Sequence, residues 1–344
     1  MRFLKAIIAL VFISIVLGGG ALGAGWLWLQ SEISKPGPAP QEATFEVKSG
    51  EHLASVADRL EEQGLIRHSR AMRLHARLEG DEAAIKVGEY AISPQASVAD
   101  ILAKLVSGDV IEYRITIPEG WTTAQILRRI EAHEELVGDM PEREIAEGTL
   151  LPDTYIFPSD TSRAQLLERM EAAQDKLLEK LWAERGEDLP VDTPEEALIL
   201  ASIVEKETAD ASERDLVAGL FTQRLKRGMR LESDPTVIYG VSRGEPLTRT
   251  INGKEVRRTL YRSELDRVTD WNTYEIDGLP KTPICNPGRA SIAAVLNPPE
   301  TDYIFFVADG KGGHVFAETL AEHNRNVAAY RAYERKEIER ERSN

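Results

Sequence analysis

The sequence predicts an α+β protein carried by one N-terminal apolar helix, with a small β-α-α-β unit ahead of a larger mixed domain. Three observations lead there. Residues 6–29 run without a charge until Glu32, which supplies the roughly 20 apolar helical residues that a bilayer core needs. Short alternating strands and amphipathic helices then follow between residues 44 and 112, punctuated by Gly and Ser. Beyond Pro194 a helix-length apolar run gives way to loops rich in Pro, Asn and Gly, residues that fix irregular backbone.

Arg2 and Lys5 precede the apolar run, and the positive-inside rule leaves that end in the cytoplasm. Trp26 and Trp28 fall where an aromatic belt meets the outer interface. A cleaved signal peptide ending near Ala21-Leu22-Gly23 competes with this assignment, but the apolar run continues past that point and favours an anchor. Both alternatives export everything that follows. The expectation is a single-pass protein of the inner (cytoplasmic) membrane, N-terminus inside and folded part periplasmic or otherwise extracytoplasmic. Residues 1–30 form the tip and anchor. Residues 31–43, with Lys35-Pro36-Gly37-Pro38-Ala39-Pro40, are expected to be a stiff, extended spacer that holds the first domain off the membrane.

Residues 44–112 open on the alternating strand Thr44-Phe45-Glu46-Val47-Lys48. A helix over 53–62 gathers Leu53, Val56, Ala57 and Leu60 on one face and stops at Gly64. Ser69 is read as the cap of a second helix over 70–78, and Gly88-Glu89-Tyr90-Ala91-Ile92 returns as a strand. Ser97 then leads a helix with Val98, Ile101, Leu102 and Leu105 on one side. The βααβ order, with Val47-Lys48-Ser49-Gly50-Glu51-His52-Leu53, Val56-Ala57 and Leu60, resembles a LysM module. That likeness implies a unit that binds polymers of N-acetylated sugars.

Residues 113–335 make the larger domain, and 336–344 a charged tail. Tyr113-Arg114-Ile115-Thr116-Ile117 is a strand, and Pro118-Glu119-Gly120-Trp121-Thr122-Thr123 opens a helix carrying Ile126, Leu127 and Ile130. Between two prolines, Tyr155 and Phe157 suit either a platform for a sugar ring or a packed loop. Thr193-Pro194-Glu195-Glu196 is a strong helix start, with a Thr cap, Pro in the first turn and acids beside it. Ser233 to Gly240 joins a turn to a short apolar run, and residues 249–258 form a polar, turn-rich insertion. Tyr303-Ile304-Phe305-Phe306-Val307-Ala308 reads as a buried strand, turned by Asp309-Gly310-Lys311-Gly312-Gly313 into His314-Val315-Phe316. A charged helix over 319–342 follows.

The run from Glu195 to Thr208 is the chemically telling stretch, because greasy interior meets Glu205 and Glu207 without a gap. A carboxyl held against an apolar wall loses hydration of its anion and keeps its proton nearer neutral pH, the state a general acid needs. Solvated side chains in a last helical turn are the plain alternative. Residues two apart on a helix face different sides, so these two glutamates make a poor matched pair across one bond. Elsewhere the chemistry is narrowed by exclusion. Lys and Arg number 42 against 57 Asp and Glu, a net charge of −15, and no basic, aromatic-laced patch suits nucleic acid. A single Cys285 allows no internal disulfide, and no CxxC or HExxH spacing suggests a metal, so neither metal nor cofactor is expected. Cys285, His314 and Asp309 could be imagined as a thiol-protease set, but their loops are better explained by turn chemistry.

The chain resembles the MltG family of membrane-anchored endolytic murein transglycosylases, which share a YceG-like domain. The resemblance is carried by Leu200-Ala201-Ser202-Ile203-Val204-Glu205-Lys206-Glu207-Thr208, Asp234-Pro235-Thr236-Val237-Ile238-Tyr239-Gly240, Asn272-Thr273-Tyr274, Gly278-Leu279-Pro280, Asn286-Pro287-Gly288, the stretch from Phe306 to Phe316 and Glu322-His323-Asn324. It implies a lyase that cuts MurNAc–GlcNAc bonds inside peptidoglycan strands, leaves a 1,6-anhydro end and terminates nascent strands. It implies Glu205 as the catalytic acid. Ser202, Glu207, Thr236, Tyr239, Asn272, Tyr274, Asn286, His314 and Asn324 are the candidate substrate-binding residues. Peptidoglycan glycan strands, the membrane and peptidoglycan synthases are the implied partners. A non-enzymatic wall tether and a lysozyme-type hydrolase with Asp234 as second carboxylate are the rival functions.

Overall fold

A computed structural model describes residues 2–208, 210–251 and 253–343. The chain divides into two compact units. One runs to Tyr113 and takes in Ile156–Thr161; the other holds Arg114–Tyr155 and everything from Ser162 onward.

In the first unit, α1 (Arg2–Ser34) is 33 residues long, about 50 Å at the α-helical rise. A hydrocarbon core is only about 30 Å thick, so the helix has turns to spare. Its described apolar side chains from Ile7 to Trp28 are exposed, whereas Leu29 and Ile33 are buried with the core of the unit. Glu32 is also buried and pairs with Lys35 at 2.7 Å. Next come β1 (Ala43–Val47), α2 (Leu53–Glu62), α3 (Ser69–Glu79), β2 (Gly88–Ile92) and α4 (Val98–Ser107). β1 and β2 pair antiparallel, Ala43 opposite Ile92 and Val47 opposite Gly88. The apolar face read from periodicity is the buried face of α2: Leu53, Val56, Ala57 and Leu60. Each such side chain contributes about 1.5–3 kcal/mol on burial. Ser97 caps α4, its hydroxyl accepting from the Asp100 N–H while the Asp100 carboxylate accepts from the Ser97 N–H.

Two expectations are corrected here. Ser69 does not cap α3: it is the first helical residue, and the free N–H there is satisfied by the Glu61 carboxylate at 2.9 Å. Residues 31–43 are not a stand-off spacer. Residues 31–34 complete α1, and the proline segment lies against the unit, with Gly37 N–H donating to Gln95 O and Gln95 N–H to Ala39 O, both at 2.8 Å. Glycine permits that approach, since a Cβ at residue 37 would stand 2.2 Å from the Ala96 carbonyl oxygen.

β3 (Glu112–Thr116) pairs with β4 (Thr154–Pro158) in a two-stranded ribbon, with α5 (Thr123–Glu131) between them in sequence. Tyr155 and Phe157 are buried, so these rings pack inside the protein rather than offering a sugar platform. The second unit continues with α6 (Arg163–Ala183), α7 (Pro194–Glu207), α8 (Arg214–Lys226), α9 (Asp234–Ser242), β5 (Thr248–Ile251), β6 (Lys254–Arg257), α10 (Arg262–Leu265), α11 (Arg289–Leu296), β7 (Phe305–Ala308), β8 (His314–Ala317) and α12 (Leu320–Ser343). Its core joins Leu200, Ile203 and Val204 of α7 to Leu220 and Phe221 of α8 and to Ile292 and Val295 of α11. α7 starts as its sequence dictates, with the Glu196 N–H donating to Thr193 Oγ1 at 3.2 Å and Pro194 in the first turn.

Three segments differ from their sequence reading. The run after Ser233 is helical, as α9; the 249–258 insertion is a β5–β6 hairpin; and the strand after Tyr303 begins at Phe305 and is only half-buried. A two-stranded ribbon has no further strand to cover it, which leaves β7 partly open.

Candidate active site

Glu205 lies in the last turn of α7, partly exposed, directly after the buried run Leu200-Ala201-Ser202-Ile203-Val204. Its Oε2 accepts from the Gly288 N–H at 3.0 Å and from the Ser291 hydroxyl at 2.7 Å. Gly288 is the N-cap of α11, so the carboxylate meets free donors and the positive end of a helix dipole. The loop that carries Gly288 is fixed from below. Ser202 Oγ accepts from the Ile284 N–H at 3.0 Å and donates to Ile199 O at 2.7 Å. The buried Cys285 thiol donates to Ser202 O at 3.3 Å, and burial pushes that thiol well up. This is packing, with no exposed thiolate to act as nucleophile.

The strand-to-helix turn at residues 118–122 closes the other side. Gly120 N–H donates to Asn286 O at 3.0 Å, Asn286 N–H to Trp121 O at 2.8 Å, and Lys206 Nζ to Gly120 O at 3.2 Å. Glu119 packs directly over Gly288: a Cβ there would stand 1.7 Å from Glu119 Oε1. Burial raises the Glu119 carboxyl above its ordinary value, the negative charge of Glu205 raises it further, and Arg214 pulls it back.

Beneath this turn, Glu147 is a hub. Its Oε1 accepts from Thr123 N–H at 2.7 Å, Thr123 Oγ1 at 3.1 Å and Asn286 Nδ2 at 3.1 Å, and its Oε2 accepts from Tyr239 Oη at 3.0 Å. Burial raises its carboxyl, against the pull of those donors. Asn286 is wholly buried. Besides Glu147, its amide reaches Trp121 O and Thr123 Oγ1, and its Oδ1 accepts from Leu150 N–H at 2.9 Å.

Glu207 turns away from Glu205, as the helical spacing requires. Ser233 Oγ donates to its Oε1 at 2.5 Å. Burial pushes the Glu207 carboxyl up to about 7, with Ser233 pulling down and the Asp234 charge pushing up. Tyr274 Oη donates to Asp234 Oδ1 at 2.8 Å. Thr236 is fully buried, bonded to Ser233 O at 2.6 Å and to Thr273 Oγ1 at 2.8 Å. Asn272, equally buried, donates to Leu265 O and Arg267 O and accepts from Tyr274 N–H. The polar capacity of Asn272, Asn286 and Thr236 is thus spent on holding loops. His314 pairs with the Glu213 carboxylate through Nδ1 at 2.7 Å, and Asn324 is exposed on α12.

A groove of about 570 Å³ opens beside this constellation, lined among others by Trp121, Lys206, Asp234, Tyr239, Leu247 and Arg258. Of the candidate substrate-binding residues Tyr239 is part of its wall, and so is Asp234, the second carboxylate of the rival hydrolase scheme. Glu205 itself does not line the groove; its neighbour Lys206 does, and Glu205 packs against Gly120, whose Cβ would meet Glu205 Cγ at 3.5 Å. Among the described residues there is no cluster of His, Cys, Asp and Glu able to hold a metal ion. Sequence reasoning missed Glu119, Glu147 and Ser291. A signal existed for the first two, since each carboxylate precedes a glycine, Gly120 or Gly148, that the structure holds at positive φ. Ser291 offered none.

The YceG-like family matches residues 45–329. An endolytic murein transglycosylase of Bacillus subtilis (strain 168) is 28% identical over 315 residues, 83% of this chain and 83% of that protein. Another, from Streptococcus pneumoniae serotype 2 (strain D39 / NCTC 7466), is 27% identical over 367 residues, 93% of this chain and 64% of that protein. A crystal structure of a yceG-like protein from Listeria monocytogenes matches with a TM-score of 0.49 at 27% identity, covering 83% of this chain and 99% of that one.

Proposed function

The chain belongs to the YceG-like family, and from that premise we propose that it is a membrane-anchored endolytic murein transglycosylase with Glu205 as its acid. The observation that carries this is the Glu205 carboxyl, set against the N-terminus of α11 and next to a groove large enough for sugar rings. Two curated relatives that align over most of the chain bear that activity in their names.

The chemistry needs one carboxyl used twice. Protonated Glu205 gives its proton to the glycosidic oxygen between MurNAc C1 and GlcNAc, and the C1–O bond breaks. The carboxylate then takes the proton of the same muramic acid's C6 hydroxyl as that oxygen bonds to C1 and closes the 1,6-anhydro ring. No water is consumed. The nucleophile is tethered to the reacting sugar, so most of the entropic cost of bringing it in is gone. Gly288 N–H and the Ser291 hydroxyl are placed to solvate the carboxylate between the two transfers. Trp121 and Tyr239 give the groove aromatic faces, which suit the apolar faces of pyranose rings.

We assign residues 1–30 to the anchor, 44–112 to a LysM-like glycan-binding unit and 113–335 to the catalytic domain. The antiparallel β1–β2 pair flanking α2 and α3 in sequence supports the LysM-like assignment, and one helix long and apolar enough to cross a bilayer supports the anchor. An N-terminus in the cytoplasm follows from Arg2 and Lys5 ahead of that helix. Action on nascent strands beside synthases rests on the family resemblance.

The test is product analysis with the full chain in detergent and purified sacculi. Wild type is expected to release fragments with anhydro-muramyl ends, and Glu205→Gln, folded with an unchanged Tm, to release none. Normal product release by that variant overturns the assignment. Fragments one water heavier, with reducing ends, identify a hydrolase instead.

A further inference from the structure

The groove lined by Trp121 and Lys206 has a neighbour. A second cavity of about 520 Å³ adjoins it along α5, lined by Trp121, Gln125, Arg128, Arg129, Ala132 and His133, and Trp121 and Gln125 belong to both walls. Its size lies within the roughly 300–1,000 Å³ of ligand sites. Gln125, Arg128, Arg129 and Ala132 follow the spacing of one helix face, so α5 offers a track about 13 Å long over its nine residues. An endolytic enzyme must hold its strand on both sides of the bond it cuts. Resting on the glycan substrate proposed above, we propose that this second cavity is a distal subsite for a carboxylate-bearing sugar residue of the strand, with Trp121 as its platform and Arg129 as its carboxylate grip.

The choice of Arg129 follows from which cations are already spent. Arg128 is paired with the Glu245 carboxylate. Lys206, in the adjoining groove, donates to Gly120 O. Arg129 is different: its Nε donates to Thr116 O at 3.0 Å, and its terminal nitrogens meet no carboxylate among the described residues. The bond to Thr116 fixes the guanidinium and leaves the outer N–H groups for a planar carboxylate, a two-pronged match that lysine cannot make. Its Cζ lies 6.0 Å from the centre of the Trp121 ring, the outer limit of cation–π attraction, so the ring holds the cation only weakly. An aromatic face with a guanidinium close by suits a pyranose that carries an acid. Gln125 spends its Oε1 on the Thr122 N–H at 3.0 Å, and its amide NH₂ is the donor type that reads a sugar hydroxyl or N-acetyl carbonyl. A neutral polymer of N-acetylglucosamine has no group for Arg129. A muramyl residue has one, on its lactyl arm when that arm is free or along its peptide stem.

The experiment is binding by the full-length chain in detergent, with Glu205→Gln as the parent so that no strand is cut. The probes, matched in length, are uncrosslinked glycan strands with peptide stems, the same strands stripped by an amidase to the lactyl carboxylate, and chitin oligomers. The parent is expected to bind carboxylated strands about fivefold more tightly than chitin, the worth of one good exposed ion pair. Adding Arg129→Gln brings that ratio below about twofold, and Arg129→Lys leaves it in between. Ala132→Glu, an exposed change one turn from Arg129, supplies a competing carboxylate. It lowers the ratio likewise and serves if Arg129→Gln fails to fold. Stripped strands that keep the ratio put the lactyl carboxylate at Arg129; a preference confined to stem-bearing strands puts the stem there. A parent ratio near one overturns the inference, as does an unmoved ratio in both Arg129→Gln and Ala132→Glu, or an equal loss for strands and chitin. Product analysis of the wild type separates the two claims. Anhydro ends together with a parent ratio near one remove only this subsite, whereas the expected ratios without anhydro ends remove the transglycosylase and leave the subsite.

Discussion

Glu205 and Glu207 leave the same turn of α7 and enter opposite surroundings. Glu205 meets two aimed donors at a helix N-terminus and a second carboxyl beyond them. Glu207 meets one serine hydroxyl and otherwise loses water, so burial carries it to about 7. The contrast teaches that an apolar wall stores a proton while oriented donors store a charge. The oily helix common to both glutamates does not by itself say which one can do acid chemistry.

The comparison breaks most sharply in activity. Glu205→Gln is expected to lower anhydro-product formation by at least about 100-fold, the low end for losing a general acid, and Glu207→Gln by under about tenfold; the reverse ranking exchanges their roles. Stability sharpens the contrast next. Asn286→Ala leaves the Leu150 N–H and the Glu147 carboxyl short of a partner and is expected to cost about 3 kcal/mol. A melt should show that loss while the pH dependence set by Glu207 stays in place.

The third test is that pH dependence itself. The folded value of Glu207, about 7, lies above its ordinary 4.5, so the folded state holds the proton more tightly than the unfolded one. The stability this gives is complete below about pH 4.5 and is lost as pH rises through 7. Wild type should lose roughly 2 kcal/mol between pH 5 and 8, a figure discounted for partial exposure, and Glu207→Gln should be flat there. Denaturant melts at both pH values decide it. The smallest effect is on the Glu205 side: Ser291→Ala removes one of its two donors and should lower kcat about fivefold, about 1 kcal/mol.

Local pattern made much of the first unit legible. The buried face of α2 and the Ser97 cap of α4 depend on residues within a few positions of one another. Glu205 was legible for the same reason, as a charge ending a visible apolar run. The partners around it were not, because they come from far along the chain: Ser291 is 86 residues from Glu205, and Asn286 is 139 from Glu147. α11 shows the difficulty in miniature. Its eight residues bury Ser291, Ile292, Ala294, Val295 and Leu296, so no polar stripe marks its period. α9 hides likewise behind a proline in its first turn and a nine-residue length in which only Thr236, Val237 and Tyr239 are buried. Asn272 and Asn286 stood out as polar loop residues, but sequence cannot distinguish a side chain that grips a ligand from one that holds up its own backbone.

The last turns of α1 end inside the hydrophobic core of the βααβ unit, with Leu29 and Ile33 among its buried residues. No pivot separates them. For the anchor role proposed above, lipid thickness would become a mechanical input: a helix longer than the bilayer leans to fit, and the βααβ unit would turn through the same angle. In a cell that thins or thickens its membrane, the orientation of this module would track the lipid composition beneath it.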